Sequence, residues 1–157
     1  MSTEIERKFL VTEDAYRALG SGVRMRQGYI SADPDRTVRV RIAGEKAALT
    51  VKGRNDGIAR LEFEYEIPTA DAELMLDRIA HRPIIEKIRY RVPFKGRVWE
   101  VDEFFGDNAG LVVAEIELES VDAAFERPDW IGKEVSDDPR YFNSNLMSCP
   151  YSKWASH

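Results

Sequence analysis

The chain has 157 residues, 43% hydrophobic and 32% charged, with 23 Lys and Arg against 28 Asp and Glu for a formal net charge of -5. That length supports one domain with a sizeable core, and the acidic balance argues against nonspecific nucleic-acid binding while leaving room for a local basic site. The single cysteine, Cys149, can make no internal disulfide and suits a reducing cytoplasm, the acids at the N-terminus do not fit a secretory signal, and no apolar run approaches the roughly 20 residues of a membrane span.

Residues 3–11 alternate with a period of two. In a strand, Glu4, Glu6 and Lys8 share one face while Ile5, Phe9 and Val11 share the other. Thr12 is placed to N-cap a short helix through Leu19, stopped by Gly20-Ser21-Gly22. A second strand covers 24–30, where Gly28 is a candidate bulge, so the facing of Tyr29 does not follow from counting. A turn at 32–35 leads into 37–42, with Arg39 and Arg41 opposite Val38, Val40 and Ile42. In 47–52, Thr50 and Lys52 oppose Leu49 and Val51. The cleanest alternation is 60–67, with Arg60, Glu62, Glu64 and Glu66 against Leu61, Phe63, Tyr65 and Ile67.

Pro68 ends that strand, and Thr69 is a plausible N-cap for a helix over 71–80 with an apolar stripe of Met75, Leu76 and Ile79. Strand 85–92 sets Lys87, Arg89 and Arg91 against Ile88, Tyr90 and Val92. A hairpin turn at 93–96 leads to 98–102, with Glu100 and Asp102 on one face. In 113–119, Glu115, Glu117 and Glu119 oppose Ala114, Ile116 and Leu118. The remainder reads as helical or irregular: 122–125, 130–132, and a helix over 139–147.

Nearly every strand thus pairs an apolar face with one carrying charges of both signs. An antiparallel sheet with its charged face in water fits this pattern. So does a closed barrel turned inside out, with charges in the lumen and apolar faces outside under helices; about eight strands suffice for a barrel that holds a small ligand. A charged lumen cannot be a dry core, because each uncompensated buried ion costs several kcal/mol. Acids attract divalent cations and Arg or Lys attract phosphate oxygens, so a metal-bound polyphosphate satisfies both sets at once.

The ordered set of motifs resembles the CYTH, or triphosphate tunnel metalloenzyme, family. Glu4-x-Glu6-x-Lys8 is similar to its N-terminal signature, and Arg39-x-Arg41, Lys52, Arg60, Glu62-x-Glu64, Lys87-x-Arg89, Glu100-x-Asp102 and Glu115-x-Glu117 follow in family order. The segment Tyr141-Phe142-Asn143-Ser144-Asn145-Leu146 is similar to its Y-x-N-x-x-L pattern. The resemblance implies an α+β fold with residues 1–157 as a single domain: an eight-stranded antiparallel barrel forming a charged tunnel, with helices outside. It implies metal-dependent hydrolysis of a small-molecule triphosphate, most like the small bacterial enzymes that cleave inorganic tripolyphosphate. Adenylate cyclase, nucleoside or thiamine triphosphatase, and a polyphosphate-binding module without turnover are the alternatives.

On that resemblance, Lys8, Arg39, Arg41, Lys52, Arg60, Lys87 and Arg89 are expected to grip the phosphates. Glu4, Glu6 and Glu117, with Glu115, are expected to hold one Mg²⁺ or Mn²⁺; Glu62 and Glu64, with Asp102, would hold a second ion or orient the attacking water. Lys87 with Tyr29 matches a proposed water-activating pair, and Lys8 joins them as a candidate catalytic residue; Tyr29 reads equally as an ordinary strand aromatic. Glu66, Arg91 and Glu119 fall nearer a mouth, in solvated or salt-bridging roles, and whether Glu100 contacts ligand is open. Arg7 reads as a surface charge. His81 and His157 offer no metal constellation, and Trp99, Trp130 and Trp154 read as packing residues. No nucleic-acid or membrane partner is expected, and the oligomeric state is open, a homodimer included.

Overall fold

The alternating segments form a ring. In the computed structural model, which describes residues 3–154 and so leaves His157 outside the described residues, the strands are β1 (Thr3–Val11), β2 (Ser21–Asp33), β3 (Arg36–Ala43), β4 (Lys46–Gly53), β5 (Ala59–Ile67), β6 (Ile85–Phe94), β7 (Arg97–Phe104), β8 (Val112–Glu117) and β9 (Ile131–Glu134). Their hydrogen-bonded order is β5-β4-β3-β2-β6-β7-β8-β1-β9, and β1 also pairs with β5, closing eight antiparallel strands and leaving β9 as an addition. The seam is short: Thr3, Glu4 and Ile5 face Leu61, Arg60 and Ala59. Further along the same strand, Phe9 and Val11 pair with β9. Each β1 residue from Glu6 to Leu10 also pairs with β8.

Three helices are α1 (Tyr16–Leu19), α2 (Thr69–Arg78) and α3 (Asn143–Ser148). Several boundaries differ from the sequence reading. Thr12 caps nothing, because helix begins only at Tyr16 with Ala15 at the cap position, and the Thr12 backbone N–H donates to the Trp130 carbonyl at 3.0 Å. Thr69 lies inside α2 and its hydroxyl donates to the Glu45 carbonyl, so Pro68 occupies the cap position. Strand β2 runs to both sides of 24–30, because Ser21 and Gly22 pair with Arg91 and Tyr90 while Ala32 and Asp33 pair with Thr37 and Arg36. The expected helix over 139–147 splits into a 3₁₀ turn, Pro139–Tyr141, and α3. Segment 130–132 is not irregular but opens β9. The hairpin at 93–96 forms as expected, with Lys95 and Gly96 at φ 51° and 79°, the left-handed pair that a tight two-residue turn requires.

Two of the three apolar groups pack outside the ring. One layer gathers Phe9, Tyr16, Trp99, Val101, Ile116 and Trp130 beneath α1 and β9. A second packs Val40, Ile42 and Ala47 against Ala72 and Leu76 of α2. A third, with Tyr29, Phe104, Val113, Tyr141 and Leu146, joins the C-terminal segment to one end of the barrel. Trp99 and Trp130 are buried packing residues, and Trp154 packs edge-on against Tyr141 and Tyr151. Arg7 does more than decorate the surface: its Nε donates to Glu134 Oε2 at 2.8 Å and its guanidinium lies 5.0 Å from the Phe125 ring, tying β1 to β9.

Candidate active site

Register fixes which side chains share the lumen. Tyr29 pairs with Arg39, Gln27 with Arg41, Thr50 with Glu64, and Lys52 with Glu62, so these all project to one side. The irregularity in β2 lies between Tyr29 and Ser31, not at Gly28, and Tyr29 keeps the lumen phase. Gly28 faces the opposite way, where a Cβ would stand 2.9 Å from the Ala80 Cβ. The lumen is a cavity of ≈ 780 Å³, and every expected site residue except Asp102 lines it. Glu66 and Glu100 line it as well, whereas Arg91 and Glu119 pair outside it with Glu100 and Arg97.

Asp102 lies behind the basic wall. Lys87 Nζ donates to its Oδ2 at 2.8 Å, while Arg89 donates from Nε and a terminal nitrogen at 2.7 and 2.9 Å. Burial alone would raise this carboxyl, but Arg89 and Lys87 outweigh it and hold it at about 2. Its oxygens accept from Lys87 and Arg89, which sets Asp102 apart from the other expected metal ligands as an anchor of these two cations. Lys87 is driven well below its ordinary value by burial, opposed by Asp102 and reinforced by Arg89 and Arg41. Its hydrogen bonds go to Asp102 and Asn143, and the Tyr29 hydroxyl accepts instead from Gln27 at 3.4 Å. The expected Lys87–Tyr29 pair shares a cavity without a direct bond.

The other guanidiniums are held by neutral groups. Arg41 Nε donates to Gln27 Oε1 at 2.9 Å, and Arg39 donates to the Thr50 hydroxyl at 3.2 Å, which donates on to Glu64 at 3.1 Å. Arg39 Nε is buried with no hydrogen-bond partner. Arg60 donates twice to the Gly53 carbonyl, at 3.0 and 2.8 Å.

Across the lumen the acids form pairs. Glu4 accepts from Lys52 at 3.0 Å and contacts Glu62, whose carboxyl is pushed up to about 7 by burial and by Glu4. Glu6 contacts Glu115 and is raised well above the usual carboxylate range by burial, Glu115 and Glu4. Burial also opposes ionisation of Glu115, but Lys8, 3.6 Å away, and Arg89 hold it well below its ordinary value. This crosses the two expected ligand groups, since Glu62 belongs with Glu4 and not with Glu64 and Asp102. Among the described residues no three acids form a ready-made metal cage. They lie instead as two neighbouring pairs, with Lys52 on Glu4 and Lys8 beside Glu115.

The C-terminal segment forms the floor. Lys8 Nζ donates to the Tyr141 carbonyl at 3.4 Å and lies 5.6 Å from the Phe142 ring. Asn143 Oδ1 accepts from both Lys87 and Gln27 at 2.9 Å. Gln27, Thr50 and Asn143 were not among the expected site residues. Thr50 stands in phase with Lys52 of its strand, a signal that a search for charge alone passes over, whereas Gln27 is in phase with Met25 and Tyr29 and out of phase with Arg24 and Arg26. Asn143 belongs to the C-terminal motif but carries no sign of which end of the barrel it reaches.

Comparison with known proteins agrees with this arrangement. Residues 2–143 match the CYTH domain. The chain is 55% identical over 154 residues to an inorganic triphosphatase of Acetivibrio thermocellus, covering 98% of this chain and 99% of that one. It is 38% identical over 154 residues to an inorganic triphosphatase of Nitrosomonas europaea, with 94% and 99% covered. A crystal structure of an inorganic triphosphatase superposes with a TM-score of 0.66 at 35% identity, covering 94% of this chain and 95% of that one. A closed eight-stranded ring, a lumen charged with both signs and a match spanning nearly the whole chain place this protein in the CYTH domain family.

Proposed function

We propose that this chain hydrolyses inorganic tripolyphosphate to phosphate and diphosphate within the barrel, with divalent cations held by the lumen acids. The observation that carries the reading is the convergence of phosphate-binding and metal-binding side chains from all round the ring on one cavity. Two relatives with the same activity in their names support the substrate class. The buried Arg39 Nε supports it physically: an unpaired buried donor costs about 1–3 kcal/mol, and a phosphate oxygen would satisfy it.

The donor set fits a hard cation, because only carboxylate oxygens are offered and, beyond burial, mutual repulsion raises Glu6 and Glu62, which marks excess negative charge. Glu4, Glu6, Glu62, Glu115 and Glu117 would hold one or two Mg²⁺ or Mn²⁺ ions. When bound, such an ion would neutralise phosphate charge. Arg39, Arg41, Lys52, Arg60 and Arg89 grip the chain of phosphates, with Arg forks suited to two oxygens each. Glu64 steadies Arg39 through Thr50. Lys8 and Lys87 face the phosphate nearest the floor.

Water attacks the terminal phosphorus in line, the bond from that phosphorus to the bridging oxygen breaks, and diphosphate leaves with its charge stabilised by the surrounding cations. Lys87 is placed to accept the proton of the attacking water, its hold on its own proton weakened by burial and by Arg89 and Arg41. Tyr29, on the adjoining strand, bounds the site of attack. The partner is a small-molecule triphosphate, no nucleic acid or membrane enters the reaction, and the free thiol of Cys149 accords with a cytoplasmic enzyme.

Phosphate release from tripolyphosphate, ATP and thiamine triphosphate, with Mg²⁺ or Mn²⁺ and again with chelator, tests the reading. Tripolyphosphate should be cleaved fastest and chelator should stop it. No metal-dependent release from any of the three would overturn it, and cyclic AMP from ATP would replace it with a cyclase.

A further inference from the structure

The amide groups at the floor have orientations that their neighbours dictate. Lys87 Nζ and Arg41 Nε can only donate. The Asn143 atom 2.9 Å from Lys87 is therefore the oxygen, and the Gln27 atom 2.9 Å from Arg41 is also the oxygen. Gln27 must then present its nitrogen to Asn143 Oδ1, as it does at 2.9 Å. The two ends of this chain agree, so the flip of each amide is determined by chemistry.

Asn143 Oδ1 thus receives two donors, and Asn143 Nδ2 points elsewhere. Among the described residues Nδ2 has no hydrogen-bond partner, it is not sealed from solvent, and Asn143 lines the cavity. We infer that Asn143 is a substrate-contacting residue, whose Nδ2 donates to an oxygen of the terminal phosphate at the floor of the lumen while Oδ1 holds Lys87 and Gln27. The inference rests on the triphosphatase reading above. It makes the segment at 141–143 part of the site, since Tyr141 and Phe142 anchor Lys8.

Asn143→Asp separates donor from anchor. A carboxylate accepts from Lys87 and Gln27 as an amide oxygen does, but turns an oxygen toward the phosphate where Nδ2 donated. Both KM for tripolyphosphate and the Kd measured by calorimetry in chelator should rise tenfold or more, with the melting temperature near that of the wild type. A purely structural Asn143 predicts no loss, so wild-type KM and Kd in Asn143→Asp would overturn the assignment. Should that variant not fold, the wild type carries the test: the Asn143 side-chain amide resonance should shift as tripolyphosphate binds. Binding with that resonance unmoved would refute the Asn143 contact alone, whereas no binding by the wild type would remove the triphosphatase reading and this inference with it.

Discussion

Lys87 and Asp102 are joined at 2.8 Å where neither is more than 1% exposed. Arg89 holds the same carboxylate with two further bonds, so one buried anion balances two buried cations. Removing it leaves the fully buried Lys87 without its ion-pair partner and leaves Arg89, among the described residues, with only Glu100, 3.5 Å away. Asp102→Ala should therefore cost about 3 kcal/mol or more, seen as a lower urea midpoint with unchanged slope. An unchanged midpoint would show that Asp102 is free of structural duty and would return it to the set of candidate metal ligands.

Glu6 predicts the opposite balance. Burial and its neighbours Glu115 and Glu4 raise its carboxyl well above the usual range, so its negative charge contributes little to the folded state. Glu6→Gln removes that charge and keeps the shape of the side chain. The unfolding midpoint should move little, by less than about 1 kcal/mol, while metal-dependent release of phosphate should fall at least a hundredfold. If the variant unfolds and keeps its turnover per folded molecule, Glu6 is structural.

Period-two alternation made the strands legible, because a strand with an apolar and a charged face announces both faces in its sequence. Periodicity put Arg39, Arg41, Lys52, Glu62 and Lys87 on the charged faces of their strands, and the family resemblance implied that those faces line one lumen. What escaped was non-local. Closure depends on three residues of β1 meeting Ala59, Arg60 and Leu61, and no local pattern names a partner more than fifty residues away. Four-residue β9 is too short to show a period. Asp102 and Glu115 look alike along the chain; only their neighbours make one an anchor for cations and the other half of an acid pair. Gln27 and Asn143 are neutral, and their importance lies in which donors they meet.

The tie between β1 and β9 should be sensitive to acid. Hydrogen bonds from Arg7, opposed by burial and helped by Ser136, hold Glu134 below its ordinary carboxylate value. A group depressed on folding contributes stability above its unfolded pKa and loses that contribution as pH falls through the folded value. The stability gap between wild type and Glu134→Gln, about 1 kcal/mol at neutral pH for a partly exposed pair, should narrow as pH drops below roughly 4.5. Denaturant midpoints for both proteins across that range test this. A gap that stays constant to the lowest pH would show that the charge of Glu134 contributes nothing.

Gly28 links the outer packing to the lumen. It stands between Gln27 and Tyr29, both of which face inward, and it pairs with Val40 under α2. A Cβ there would lie 2.8 Å from Ile84 Cδ1, 2.9 Å from Ala80 Cβ and 3.0 Å from Leu76 Cδ2. The two flexible side-chain ends can turn aside, but Ala80 Cβ moves only with its backbone. Gly28→Ala should then lift the end of α2 or push β2 inward, at about 1–3 kcal/mol. Inward movement would displace Gln27 from Arg41 and Asn143, so turnover of the folded variant should drop along with its stability. A loss of stability with full turnover would mean that α2 gives way alone, and a loss of neither would mean that Gly28 is not there to admit the helix.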